Sequence, residues 1–268
     1  MSGSFAEKYG PWAVVTGASS GLGEGFAHAV AARGIRPLLI ARRADELKRV
    51  AADIERDHGV SGELLAADLA ESSFIDLVVD ATRDKDVGLV IGNAGFNPAG
   101  AFADNDRGSL ERVLDVNDRA NVLLAHAFLP ALRARGRGGL LLVSSVEGYF
   151  GAPYSTTYAA SKAFLLSFAE GLWGEHRGTG VDVLALVPGP VDTPLFQSRG
   201  VKAPAISPRK AADRGLDHLG RGPSYVPAAM DRWFFRFLRA LPRRASIAMM
   251  GFGMRRMVER LRAKGGIA

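Results

Sequence analysis

The sequence predicts an α/β fold: a doubly wound, mostly parallel sheet of seven strands with helices on both faces, continued by a C-terminal helical extension. Three observations predict it. Short apolar runs alternate with longer stretches of helical period, which is the pattern of repeated strand–helix units. A glycine-rich turn, Thr16-Gly17-Ala18-Ser19-Ser20-Gly21-Leu22-Gly23, stands between the first run and the first helical stretch. The 268 residues, 47% of them hydrophobic, suffice for one large domain with its own core.

The elements follow in order. Trp12–Thr16 is the first strand, and Leu22–Arg33 after the glycine turn has helical period. Pro37–Ala41 with Ala44–Asp57 makes a second unit, and Glu63–Ala67 with Ser72–Arg83 a third. Val87–Gly92 is followed by Arg107–Arg135, which reads as one long helix. Gly139–Ser144 and Thr157–Glu175 form the next pair, then Val181–Val187 and Pro208–Leu219, with a short seventh strand at Tyr225–Val226. From Pro188 to Pro208 the chain is rich in Pro and Gly and lacks a period, so a substrate flap is expected there, with a lid region over about 194–222. Residues 1–229 are expected to form one domain and 230–268 a basic amphipathic extension.

Composition excludes several functions. With no cysteine there is no disulfide, no thiolate nucleophile and no thiolate metal site, and no metal is expected. Residues Met1 to Pro11 contain an early acid and no apolar run of signal length, and no stretch reaches the ~18 apolar residues of a membrane span. A cytoplasmic protein is the expectation. The net charge of +6 is concentrated at the end: from Arg199 onward there are 16 Lys or Arg against 4 Asp or Glu, while the first 198 residues are net negative. No motif that reads nucleic acid accompanies the basic tail, so no nucleic-acid partner is expected.

In the glycine turn, residues Gly17, Ser19, Ser20, Gly21, Leu22 and Gly23 can bring backbone N–H groups to a pyrophosphate at a helix N-terminus. The spacing departs from G-x-G-x-x-G by placing three residues between the first two glycines. A second strand in such a unit usually ends on an acid that holds the ribose when the cofactor is NAD. Here it ends Ile40-Ala41-Arg42-Arg43, and two guanidiniums suit a 2′-phosphate, so NADP is preferred and NAD is the alternative. Asp68, followed by Leu69, either accepts from an adenine amino group or caps the next segment.

Tyr158-Ala-Ala-Ser-Lys162 puts a phenol and an ammonium at i and i+4 on one helix face. Free tyrosine has a pKa of ~10, and a neighbouring ammonium lowers it toward the range useful for proton transfer. Ser145, thirteen residues before Tyr158, stands at the C-terminal end of a strand, the edge where open α/β sheets bind ligands.

Taken together these residues resemble the short-chain dehydrogenase/reductases, in the branch of ordinary chain length. The resemblance covers roughly residues 10 to 230 and rests on Thr16-Gly-Ala-Ser-Ser-Gly-Leu-Gly23, Asn93-Ala94-Gly95, Asn117, Ser145, Tyr158-x-x-x-Lys162 and Pro188-Gly189-Pro190-Val191-Asp192-Thr193. It implies a Rossmann-type catalytic domain and an NADP(H)-dependent oxidoreductase interconverting a carbonyl and an alcohol, on a small or lipophilic substrate, as a homodimer or homotetramer. By the same resemblance Tyr158 is the general acid/base, Ser145 orients the reacting oxygen, Lys162 holds the nicotinamide ribose and tunes Tyr158, and Asn117 supports a water-mediated proton relay. Asn93 would brace the sheet beside the cofactor, with Ala94 and Gly95 next to it. Pro188, Gly189, Val191 and Thr193 would meet the nicotinamide end.

The chain departs from the family pattern in three places. Gly92 stands where a first Asn is usual, and Ser20 occupies a position that is often basic in NADP users. After the serine the chain runs Val146-Glu147-Gly148, where a small residue often precedes the Gly, and Glu147 either lines the substrate pocket or points to solvent. Beyond Ala229, aromatic and methionine residues interleave with arginine. This tail covers the pocket, packs against another subunit, or lies on an anionic membrane surface. A different class, a catalytically silent NADP(H)-sensing binding protein, would leave the proton-transfer group without a purpose.

Overall fold

In the computed structural model, which describes residues 4–198 and 204–263, the apolar runs become seven parallel strands. These are β1 (Trp12–Thr16), β2 (Arg36–Ala41), β3 (Glu63–Ala66), β4 (Val87–Gly92), β5 (Gly138–Val143), β6 (Val181–Leu186) and β7 (Ser224–Tyr225). Their order across the sheet is β3-β2-β1-β4-β5-β6-β7. The direction of winding reverses between β1 and β4, which opens a crevice at the carboxyl ends of these two strands.

The helices are α1 (Phe5–Tyr9), α2 (Gly21–Ala31), α3 (Ala44–His58), α4 (Phe74–Thr82), α5 (Arg107–Val113), α6 (Ala120–Arg135), α7 (Thr156–Glu175), α8 (Pro194–Ser198), α9 (Pro208–His218), α10 (Ala229–Ala240) and α11 (Arg243–Ala263). Because side chains alternate along a strand, neighbours in sequence supply opposite layers. Val14, Leu38, Ile40, Val90, Leu140 and Leu142 pack with Leu124, Leu132 and Leu165 of α6 and α7. Ala13, Val15, Leu39, Ile91 and Leu141 pack with Phe26 and Val30 of α2, with Leu47, Val50 and Ile54 of α3, and with Leu216 of α9. Burial on both faces explains why the central strands are continuous apolar runs with no polar alternation.

The stretch Arg107–Arg135 is not one uniform helix. Residues Leu114–Arg119 form a π-helical turn between α5 and α6, and this widened turn carries Asn117. Two short elements escaped the periodicity argument: α1, held by a capping box between Ser4 and Glu7, and α8. Five residues are too few to show a period. Of the expected flap and lid, residues 199–203 lie outside the described residues. The helix α9 packs on α2, where a Cβ on Gly25 would lie 2.8 Å from the Pro208 carbonyl carbon, so this half of the segment belongs to the framework.

The tail is tied to the domain. Phe235 and Leu238 of α10 are buried in the first core, beside Phe150. Among the described residues no helix is long and apolar enough to cross a membrane, and no His/Cys/Asp/Glu group is arranged to hold a metal.

Candidate active site

The site begins where β1 and β4 end. Thr16 Oγ1 accepts the main-chain N–H groups of Asn93 (2.9 Å) and Ala94 (3.1 Å), and Asn93 Nδ2 donates back to the Thr16 carbonyl (2.9 Å). The crevice is therefore stitched shut at its base. Gly17, at φ +67°, leaves room for this: a Cβ there would lie 2.9 Å from Asn93 Nδ2. Gly23 meets the turn even more closely, since its Cβ would lie 2.1 Å from the Gly17 carbonyl oxygen. Only glycine lets the first turn of α2 approach the loop in this way.

At the end of β2, Arg43 Nη2 donates to Ser19 Oγ (3.1 Å) and Ser20 Oγ (2.9 Å), holding the guanidinium over the glycine turn, and Arg42 lines the same rim. Asp68 serves as a turn cap and an ion-pair partner at once. It accepts Ala70 N–H (3.0 Å) and pairs with Arg112 Nη2 through both oxygens (2.8 and 2.7 Å). Burial opposes its ionisation, but Arg112 and the Ala70 N–H outweigh it and hold the carboxyl below its ordinary range.

At the end of β5, Ser144 Oγ donates to the Lys162 carbonyl (2.6 Å) and clamps α7 to the sheet. Lys162 is 2% exposed; its Nζ donates to the Val143 carbonyl (2.9 Å) and lies 5.5 Å from the Tyr158 ring centre. Burial lowers its pKa to about 8, against the opposing charges of Asp118 and Glu147. Ser145 opens the turn Val146–Tyr149, its Oγ accepting the Glu147 N–H (3.2 Å). Glu147 lines the cleft and accepts from Ser155 Oγ (2.7 Å), so of the two orientations open to it the inward one is observed.

These groups share one cleft of about 530 Å³, within the usual size of a ligand site. Gly17, Ser19 to Gly23, Arg42, Arg43, Asp68, Leu69, Asn93 to Gly95, Ser145, Tyr158, Lys162, Pro188, Gly189, Val191 and Thr193 all line it. Asn117 does not. Fully buried behind the wall, it accepts Phe96 N–H (2.8 Å) and donates to the Phe96 carbonyl (3.0 Å) and Ser161 Oγ (2.9 Å), bracing the loop after β4 against α7.

Sequence reasoning missed the far wall: Phe96, Phe196 and Phe235, with Met250, Met254 and Met257. The three methionines stand at i, i+4 and i+7 on α11, and so share one helical stripe. Of the three readings of the tail, covering the pocket is the one this geometry displays. At the root of α10, Asp231 crowds the Pro188–Pro190 turn, where a Cβ on Gly189 would lie 2.2 Å from Asp231 Oδ2.

A family model described as short chain dehydrogenase matches residues 11–203. The chain is 30% identical over 253 residues to the 7beta-hydroxysteroid dehydrogenase of Clostridium sardiniense, covering 92% of this chain and 97% of that protein. A structure described as giving insight into 7beta-hydroxysteroid dehydrogenase stereoselectivity superposes with a TM-score of 0.87 at 27% identity, covering 92% of this chain and 99% of the other. A short-chain dehydrogenase from Sphingobium yanoikuyae in complex with NADPH gives 0.77 at 29% identity, covering 84% and 91%. Fold and cleft thus define a nicotinamide-dependent oxidoreductase that interconverts carbonyl and alcohol. The chain belongs to the short-chain dehydrogenase/reductase family. Its residues fit the family's dinucleotide, because the glycine turn at the start of α2 lines the cleft together with Arg42 and Arg43.

Proposed function

We propose that the enzyme uses NADP(H) to reduce or oxidise a bulky lipophilic substrate in the size class of a steroid. One observation carries this reading: a single cleft runs from Arg42 and Arg43, past Tyr158 and Lys162, to the methionine wall of α11. The arginine end offers two guanidiniums to a 2′-phosphate, and the far end offers apolar volume. The steroid activity named for the Clostridium sardiniense relative suits that size.

When bound, the cofactor supplies or accepts the hydride. Gly17, Ser19, Ser20, Gly21, Leu22 and Gly23 would hold its phosphates, Asp68 and Leu69 its adenine, and Pro188, Gly189, Val191 and Thr193 its nicotinamide end, with Asn93, Ala94 and Gly95 bracing the crevice beside it. In reduction Tyr158 Oη gives a proton to the substrate oxygen, and in oxidation it takes one back. Protonated Lys162 favours the phenolate form of Tyr158, and Ser145 Oγ hydrogen-bonds the reacting oxygen. Asn117 acts as a positioning residue, since its amide is engaged by Phe96 and Ser161.

Consumption of NADPH and of NADH, measured against a panel running from small aldehydes to polycyclic ketones, tests the proposal. The expected result is turnover with NADPH that improves with the apolar bulk of the ketone. Binding of NADPH without turnover of any carbonyl would replace it with the cofactor-sensing reading.

A further inference from the structure

The helix α10 presents three faces, and only one of them enters the core. Phe235 and Leu238 turn into the core, with Asp231 beside them against Gly189. Met230, Trp233, Phe234 and Phe237 stand at i, i+3, i+4 and i+7 on a second face, each between 48% and 75% exposed. Arg232, Arg236 and Arg239, at i, i+4 and i+7, form an exposed third row, in which Arg232 Nη1 donates to the Val226 carbonyl (2.9 Å) and the Arg239 guanidinium lies 4.9 Å from the Tyr149 ring centre. A helix that packs only on its own domain needs a single apolar stripe. This one carries two.

The helix α11 repeats the arrangement. Met250, Met254 and Met257 line the cleft, whereas Met249 and Phe252 face outward, with the Arg256 guanidinium 4.3 Å from the Phe252 ring centre. Arg243 and Arg244 are exposed where the two helices meet. Over residues 229–263 the sequence has nine arginines and two acids.

We propose that the outer face of α10 and α11 docks on an anionic phospholipid surface. Trp233, Phe234 and Phe237 would enter the headgroup boundary, where aromatic rings are favoured, and the exposed Arg236 and Arg244 would meet lipid phosphates. Long arginine stems allow this, since their guanidiniums reach outward past a buried apolar face. A second copy of the chain is the poorer occupant. A two-fold contact sets the same patch against itself, and so brings two arginine rows together with almost no acid to compensate them. The geometry also gives docking a use, because the opposite faces of the same two helices wall the cleft: a lipophilic substrate dissolved in the bilayer would meet the site at its apolar end.

Flotation of the full chain with NADPH tests this, using vesicles of phosphatidylcholine alone and of an equimolar mixture with phosphatidylglycerol. The expected result is partition onto the mixed vesicles only, falling as salt screens the arginines. The double variant Trp233→Glu/Phe237→Glu, both outside the cleft, is expected to lose about a hundredfold in partition. Its activity on a water-soluble ketone should be unchanged, which shows that it folds. A charge variant, Arg236→Gln/Arg244→Gln, should lose the phosphatidylglycerol dependence. Equal flotation of wild type and the aromatic variant would overturn the proposal, as would no flotation at all. So would vesicle-blind behaviour with a dimer that the aromatic variant splits in sedimentation, which would assign the face to a second copy.

Discussion

The two ends of the cleft are built by opposite rules. At the cofactor end the main chain comes within contact distance of itself. Gly23 lies against Gly17, and Thr16 shares two hydrogen bonds with Asn93 and one with Ala94 across the ends of β1 and β4. Few residue types satisfy such geometry, so identity matters at each position. At the opposite, apolar end Phe96, Phe196, Phe235, Met250, Met254 and Met257 arrive from distant segments and supply apolar volume. Many residues could do that. The difference separates chemistry, which is fixed by a few groups, from specificity, which is spread over a wall.

The sharpest way to break the comparison lies between the two ends. Tyr158→Phe removes the proposed proton donor and leaves the ring beside Lys162, so kcat should fall about a thousandfold while NADPH affinity, read by fluorescence titration, stays near wild type. Near-normal turnover would mean that the proton comes from elsewhere. The next largest effect belongs to the cofactor rim. Arg42→Ala/Arg43→Ala should weaken NADPH binding by about ten- to a hundredfold, with NADH barely affected, because only the 2′-phosphate loses its partners. Equal losses for both cofactors would show that Arg43 acts chiefly through Ser19 and Ser20, as a brace for the turn. The far wall should respond more gently. Met250→Ala/Met254→Ala is expected to lower kcat/KM about tenfold for a polycyclic ketone and to spare a small aldehyde.

The same contrast explains what the sequence made legible. Strands buried on both faces must be apolar runs, so β1, β2, β4, β5 and β6 could be found to within a residue or so. The glycines and Tyr158 with Lys162 could be placed in one cleft from the sequence, because close approach demands glycine and the i, i+4 spacing sets the phenol and ammonium on one face. The π-helical turn at Leu114–Arg119 was not, since its six residues are too few to show a period of their own between two helices. Arg112 was missed as the partner of Asp68 because 44 residues separate them. Ser4-x-x-Glu7 is a legible helix start, but α1 is too short to confirm it by period.

The smallest effect concerns Asp118, which follows Asn117 in the π-helical turn. Its Oδ1 is buried without a hydrogen-bond partner, and burial raises its pKa to about 6 against the opposing charge of Lys162. Lys162 in turn is lowered to about 8 by burial, with Asp118 and Glu147 pushing the other way. Above this pH the ammonium is lost and Tyr158 with it loses its activating charge, so the rate should fall on an alkaline limb near pH 8. Asp118→Asn removes one of the two opposing carboxylates. Lys162 then deprotonates at a lower pH, and the limb should move toward acid by up to about one unit in the kcat profile. The stability effect has a definite sign. A carboxyl whose folded pKa lies above its unfolded value is favourable below the unfolded pKa and loses that contribution as pH rises through the folded one. Asn should therefore be neutral at about pH 4 or below and stabilising by about 1 kcal/mol near neutrality, as thermal unfolding at the two pH values would measure. A limb that did not move would mean that burial alone sets Lys162. The catalytic end would then owe its tuning to the same undirected property that shapes the substrate wall, and the contrast between them would narrow.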